Sequence, residues 1–545
     1  MSRRLFFLLV NLCSGAACFA QTIEYDLILR HGTVYDGYGG NPIVTDIAIN
    51  ADTIAAIGDL SSKKAKKEID ATGLAVAPGF INMLSWADGT LLEDGKGVSD
   101  IKQGITLEVF GEGLSPGPRK RKPGSKLWTT LNGYFEHLEK EMISPNVASF
   151  VGATTIRDYV IGQQNRKPTA VEMIQMKNLV KQAMEEGAMG IGSSLIYAPA
   201  TFATTEELIE LCKIASQYNG MYITHMRSES DKVLEAINEV IRISKDAKLP
   251  AEIYHLKINQ QRNWPKIDAV LFKIDSAQKR GLNITANIYP YAASATGLKE
   301  RIPIWAQEGG IVELRARIRK PDLRKRILYE MENGIPSKNS DARDVMLLNF
   351  KKDSLNILYK GKRLDQVAML HGKNADETVL DLLLADQSSI GAVYFLISES
   401  NMNRMLQQPY VSFGTDAGAI ALTPNFTDKG THPRAYGTFP RVLGKYVRDE
   451  KLLTLQEAIR RMTTLPAVHL KIKKRGALKP GNFGDVVVFN PEKIQDHATF
   501  ENPHQYSTGM IHVFVNGIQV LKDGEHTGEK PGRAVRGPGW KKNKK

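Results

Sequence analysis

Met221-Tyr-Ile-Thr-His225-Met-Arg227 and Glu252-Ile-Tyr-His255-Leu-Lys257 are two short runs of β-forming residues, each reaching a histidine, 30 residues apart and each followed by sequence with helical spacing. A strand, a turn and a helix returning to the next parallel strand take about 30 residues, so the spacing predicts successive βα units with both imidazoles at one rim of a parallel sheet. A third run, Tyr410-Val-Ser-Phe-Gly-Thr-Asp416, ends in a carboxylate. Two imidazoles able to hold a divalent ion and an aspartate able to move protons are sufficient parts for activating water at neutral pH. Taken singly, each residue has a plainer reading. A lone histidine at a strand end is most often a hydrogen-bonded structural group, and an aspartate beside Gly418 is as readily a helix N-cap or a turn residue. The shared spacing is what favours a site.

Outward from these runs, strands alternate with helical segments at 172–186, 229–244 and 267–280, which predicts a (β/α)₈ TIM-like barrel over 77–473. Short alternating runs at 21–76, such as Tyr25-Asp-Leu-Ile-Leu-Arg30, reappear in style at 474–535, as in Gly484-Asp-Val-Val-Val-Phe489. Together they predict a small β-sandwich lobe built from both chain ends. A charged, helix-prone stretch at about 300–352 reads as an insertion, either covering the mouth of the barrel or standing as a surface hairpin of helices. Residues 536–545 read as a basic tail.

The composition fits a large soluble enzyme. At 545 residues and 42% apolar content the chain can bury a sizeable core in more than one lobe. The net charge of +13 owes part of its size to Lys541, Lys542, Lys544 and Lys545 and to turn-like clusters such as Lys63-Lys64-Ala-Lys66-Lys67. With no aromatic-interleaved basic stripe, the charge argues for solubility and against a nucleic-acid partner. Residues 1–20 have the form of a signal peptide: Arg3 and Arg4, then Leu5-Phe-Phe-Leu-Leu-Val, then Cys18-Phe-Ala20 before Gln21 as a cleavage site. Export to the periplasm or the medium is expected. Gly15 stands where a lipoprotein signal has leucine, so lipidation ranks below it. No later stretch is long and apolar enough to predict a span. Removal of the signal would leave Cys212 as the single cysteine, within a helical pattern opened by Thr204-Thr-Glu-Glu207, which predicts a buried helix residue.

Several ordered phrases then converge: Val76-Ala-Pro-Gly-Phe-Ile81, Gly190-Ile-Gly-Ser-Ser-Leu-Ile-Tyr197, Thr224-His-Met-Arg-Ser-Glu229, His255-Leu-Lys257, Tyr289-Pro-Tyr291, Gly414-Thr-Asp416, His432-Pro-Arg434 and Gly481-Asn-Phe-Gly-Asp-Val. From about residue 24 to 533 the chain resembles the D-aminoacylase, or N-acyl-D-amino-acid deacylase, branch of the amidohydrolase superfamily. The resemblance implies hydrolysis of the amide of an N-acyl-D-amino acid to a carboxylate and a free D-amino acid. It implies a metal, usually zinc, held by His225, His255 and one further ligand. It also implies that Asp416 takes a proton from water and delivers it to the leaving amine. Lys257, Arg434, Tyr289 and Tyr291 would bind the substrate carboxylate, and Arg227 of the Thr224–Glu229 phrase is placed with them.

The sequence departs from the family pattern where that pattern has His-x-His. Here Leu84 and Trp86 stand in the two histidine places, and neither can ligate a metal. The second-strand cysteine ligand falls at Glu112 or Gly113, and a third family histidine is Ala153. One divalent ion, rather than two, is therefore expected, with Glu112 restoring a three-ligand set. Glu112 could otherwise be a loop or helix-terminal carboxylate, and Glu108 is the weaker substitute because strand alternation should turn it from the rim. Two other functions stay open at this level: a cyclic-amide or D-dipeptide hydrolase of the same superfamily, and a catalytically degenerate homologue that binds an N-acylated ligand. Oligomeric state is not legible.

Overall fold

The computed structural model describes residues 23–121, 127–333 and 340–541. The expected signal peptide lies outside them.

Eight short strands form the centre: β1 (Phe80–Asn82), β2 (Ile105–Phe110), β3 (Asn146–Ser149, continued by Val151–Gly152), β4 (Gly190–Ser194), β5 (Met221–His225), β6 (Ala251–Ile253), β7 (Ile284–Ile288) and β8 (Val411–Phe413). Each pairs in parallel with the next. The ring closes between β8 and β1, where Met83 N–H donates to the Phe413 carbonyl (3.1 Å), Asp416 N–H to that of Leu84 (2.9 Å) and Trp86 N–H to that of Ala417 (2.9 Å). The expected barrel is thus present, and its strands are buried along their whole length because helices cover them outside and side chains fill them within.

The helices follow their local signals. Ala170–Glu185 starts at a reciprocal capping box between Thr169 and Glu172. Thr205–Gln217 is capped by the Thr204 side chain, but Glu207 does not reach back to complete a box, because its carboxylate is drawn into the interior by Arg157 (2.8 and 2.6 Å). Cys212 on that helix is fully buried, and burial pushes its thiol well above the usual range. Val233–Ala247 begins four residues later than its periodicity suggests. The missing turn is the loop that carries Glu229.

Both chain ends meet in one lobe, as expected. Ala75–Pro78 lies parallel to Ile23–Val34 on one side and antiparallel to Val486–Phe489 on the other, joining nine strands into one sheet. Alternate residues Leu27, Leu29, Ile47, Ile49, Val486 and Val488 share a single apolar cluster. Because Ala75–Pro78 belongs to this sheet, the barrel begins at Phe80 rather than at 77.

The insertion is larger than its charge pattern indicates. It runs from about 294 to 397 rather than 300–352, and holds an antiparallel sheet of Ser294–Gly297, Gly391–Tyr394 and Val345–Asn349. The helices Gly310–Arg319, Pro321–Asn333, Leu364–His371 and Ala375–Asp386 pack on a core of their own that includes Leu314, Ile327, Leu347, Leu380 and Leu383. The later helices read like barrel helices in sequence, since periodicity reports an apolar face but not which core receives it. The described part of the basic tail is not free either. Val147 N–H donates to the Arg533 carbonyl (3.0 Å) and Val535 N–H to that of Val147 (2.7 Å), Lys541 N–H reaches the Glu185 carbonyl (2.9 Å), and Arg536 lies over the Phe135 ring. This strap docks at the N-terminal ends of β3 and β4. No helix among the described residues is long and apolar enough to cross a membrane.

Candidate metal centre and substrate cavity

Three carboxy-terminal strand ends deliver the centre. His225 is the last residue of β5, His255 lies two residues beyond β6, and Glu112 lies two beyond β2. Glu112 is aimed by its neighbours: Gly111 has φ +111° and Gly113 φ +73°, and a Cβ on Gly113 would stand 2.1 Å from Ser194 Oγ. Only glycine fits that path. Glu112 Oε1 is 2.9 Å from His225 Nδ1 and 3.0 Å from His255 Nε2, and all three side chains are buried. Their ligand atoms lie within 4.8 Å of one another, a set suited to one divalent ion with an open position. Burial opposes ionisation of Glu112, but the charge of His255 and hydrogen bonds with both histidines outweigh it and hold the carboxyl at about 2. Burial and Lys257 disfavour a charged His255; Glu229 and Glu112 overcome both and raise it to about 9. The pocket is built to stabilise positive charge.

Glu229, for which no site role followed from the sequence, completes the environment. Its Oε1 is 2.7 Å from Lys257 Nζ and 3.1 Å from His255 Nδ1, and Asn259 Nδ2 donates to its Oε2 at 3.2 Å. A carboxylate on the far nitrogen of a ligating imidazole fixes its tautomer and orientation. The only sequence signal was its place in the Thr224–Glu229 phrase, four residues after His225.

Asp416 stands three residues beyond β8 with φ +50°, and His255 has φ +34°, so both are held in the left-handed region that side chains avoid. Such conformations cost about 1–3 kcal/mol and cluster at functional sites. Trp86 Nε1 donates to Asp416 Oδ1 at 3.0 Å, and Arg434 Nη1 lies 2.7 Å from Oδ2. Tyr289 is held between two cations, with Lys257 Nζ 5.7 Å and Arg434 Cζ 4.6 Å from its ring centre. Two buried donors, Arg434 Nε and the Tyr289 hydroxyl, meet no partner among the described residues. Buried donors left open in this way suit a carboxylate brought by a ligand.

All of these groups line one cavity of about 720 Å³, walled by the barrel rim and by insertion residues including Lys299, Tyr394 and Leu396. The insertion therefore covers the mouth. Tyr197, the end of the Gly190–Tyr197 phrase, joins the wall with its ring 5.0 Å from that of His225 and its hydroxyl accepting from Thr296 (3.1 Å).

Two expected substrate contacts are not in this cavity. Arg227 turns outward to Glu239 (2.8 and 2.9 Å) and to the carbonyls of Thr201 and Ala203 (both 3.0 Å), where it ties two βα loops together. It follows His225 by two residues and leaves the strand, so alternation no longer governs its direction. Tyr291 sits behind Tyr289, its hydroxyl 3.5 Å from Asp496 and its ring beneath Arg441. Glu108 is buried within β2, accepts from Asn82 (2.8 Å) and takes no part in the centre. Ala153 begins a helix, and Leu84 lies in the barrel interior.

A barrel whose rim gathers an imidazole pair, a carboxylate and a pinned aspartate defines an amidohydrolase. A model of the amidohydrolase family matches residues 358–521. D-aminoacylase of Alcaligenes xylosoxydans xylosoxydans is 33% identical, covering 94% of this chain and 97% of its own; N-acyl-D-glutamate deacylase of the same organism is 32% identical with the same coverage. Among solved structures, N-acyl-D-glutamate deacylase of Bordetella bronchiseptica, complexed with zinc and a phosphonate mimic of the tetrahedral intermediate, superposes with a TM-score of 0.79 at 30% identity, covering 94% of this chain and all of that one. The chain belongs to the D-aminoacylase family of amidohydrolases, and it is an amide-bond hydrolase.

Proposed function

We propose that this chain hydrolyses the amide of N-acyl-D-amino acids with one divalent ion, zinc by preference, held by His225, His255 and Glu112. The convergence of those three ligand atoms in the cavity that also holds Asp416 carries the reading. When bound, the ion lowers the pKa of water to about 7 and polarises the scissile carbonyl. Asp416 accepts the proton of the attacking water at its carboxylate and returns it to the amide nitrogen, which must be protonated to leave. Lys257, Arg434 and the Tyr289 hydroxyl bind the substrate's carboxylate, the arginine offering a planar fork and the lysine a point charge. Glu229 and Lys257, at 3.1 and 2.7 Å from His255 Nδ1, hold the imidazole so that its Nε2 faces the ion. Export from the N-terminal segment is part of the same proposal, and N-terminal sequencing of the secreted or periplasmic protein beginning at Gln21 would test it.

The decisive experiment joins metal analysis to a product assay. The purified protein should contain about one divalent ion per chain, as a three-ligand catalytic set requires. It should release free amine from N-acetyl-D-amino acids and not from the L enantiomers, and His225→Ala and Asp416→Asn should both be inactive. Equal rates on the two enantiomers, or full activity after complete metal removal, would refute the proposal.

A further inference from the structure

We infer that Trp86 is a positioning residue for Asp416: its indole N–H fixes the carboxylate as a proton carrier and keeps it from turning toward the cation. The inference rests on the reading above and concerns a contact that reading does not use.

Asp416 is the group asked to exchange protons, and its backbone is strained at φ +50°. A strained residue persists only where its surroundings over-determine it. Here the determinants come from the end of β1. Leu84 accepts from the Asp416 N–H and Trp86 donates its own N–H to the Ala417 carbonyl, both at 2.9 Å, so Trp86 and Asp416 are tied through adjacent backbone on the barrel seam. Asn82 Oδ1 accepts from Thr415 N at 2.8 Å and steadies the preceding residue. On this fixed frame the indole reaches Oδ1 at 3.0 Å while Arg434 lies 2.7 Å from Oδ2. Each oxygen thus has its own neighbour, and rotation of the carboxylate would break both contacts.

The chemistry of indole matters. Its N–H only donates, does not titrate in the working range and cannot ligate a metal, whereas an imidazole in its place could accept a hydrogen bond, titrate and ligate. A carboxylate near a divalent ion is itself a good ligand and would be drawn onto it unless held. Trp86 supplies that hold with a donor whose sense is the same at every pH. It also faces the cavity, so it acts where the substrate is bound.

Trp86→Phe removes the donor and keeps an aromatic wall. With N-acetyl-D-amino acids, kcat should fall about ten- to a hundredfold with KM within about twofold, the pattern expected when an interaction of the reacting group is lost rather than a binding contact. Metal content should stay at the wild-type value. A variant with unchanged kcat, or one in which only KM rises, overturns the inference. Should the variant not fold, the ¹⁵N-labelled indole spectrum of the intact chain decides. One downfield indole resonance should shift upfield in Asp416→Ala, and the absence of such a shift overturns the inference. If the wild type hydrolyses no N-acetyl-D-amino acid, the deacylase reading itself fails, which is a separate result from an active wild type matched by an equally active Trp86→Phe.

Discussion

His255 faces a carboxylate on either side, Glu112 at 3.0 Å from Nε2 and Glu229 at 3.1 Å from Nδ1, and a proton and a metal ion compete for the first of these positions. In chelator-stripped protein His255 is raised from 6.5 to about 9, so its stabilising contribution is complete below pH 6.5 and disappears as pH rises through about 9. Glu112 is lowered from 4.5 to about 2, so its contribution is present above 4.5 and is lost as pH falls through about 2. Metal uptake should therefore tighten between pH 7 and 9 with release of about one proton per ion, measurable by titration calorimetry in buffers of different ionisation enthalpy. Pairing that does not depend on pH over this interval would show that His255 is already neutral. Glu229→Gln removes the partner of both Lys257 and His255, and a 10- to 100-fold loss in metal affinity or activity is expected. Arg227→Ala should leave KM unchanged and lower the melting temperature, because its guanidinium ties loops together instead of meeting substrate. A raised KM would return it to the site. At this scale the sequence was most informative close to strand ends: His225 closes β5, and His255 and Asp416 follow β6 and β8 by two and three residues. Glu229 lies in a loop, where no periodicity applies, and the direction of a side chain past a strand end, as at Arg227 and Tyr291, is set by the tertiary partners it meets, Glu239 and Asp496.

The loop after β2 shows how an element places a ligand. Gly111 and Gly113 flank Glu112 in conformations with positive φ, and the space at Gly113 is closed by Ser194 from β4. Gly113→Ala adds a methyl where none fits and asks alanine to hold a left-handed backbone, which together should cost at least about 1–2 kcal/mol and displace Glu112. Loss of bound metal accompanying a fall in melting temperature is the expected result; a variant that melts lower yet keeps its full complement of ion would show that the loop does not aim the carboxylate. The glycines were visible in the sequence, but which strand closes on them is a tertiary fact. The insertion was legible as a feature and not as a fold. Its strands are four or five residues long and pair only with each other, and the helices Leu364–His371 and Ala375–Asp386 carry apolar faces indistinguishable from those of barrel helices.

Over the whole molecule, the two ends of the chain are locked against the barrel by different means. The first strand enters the lobe sheet, while the last described residues run as a strap along the starts of β3 and β4. Deleting 527–545 removes backbone hydrogen bonds to Val147, Gly187 and Glu185 together with the Arg536 contact on Phe135. Such a truncation should lower the melting temperature by about 1–2 °C, the shift that about 1–2 kcal/mol produces in a chain of this size, with kcat/KM at 25 °C unchanged because the strap is remote from the cavity. An equal loss of turnover would mean that the strap tensions the rim. The division of labour, one lobe from both termini and a barrel between, could be read from the style of the alternating runs. That Lys541 belongs to a docked segment could not, since a basic run looks the same whether it lies in solvent or against a surface.

The strap also has a practical bearing. Its described residues lie on the side of the barrel opposite the opening of the cavity. A chain anchored to a resin or fused to a carrier through its C-terminus would thus present its entrance to the bulk solution, and small acylated substrates would reach it without passing the support.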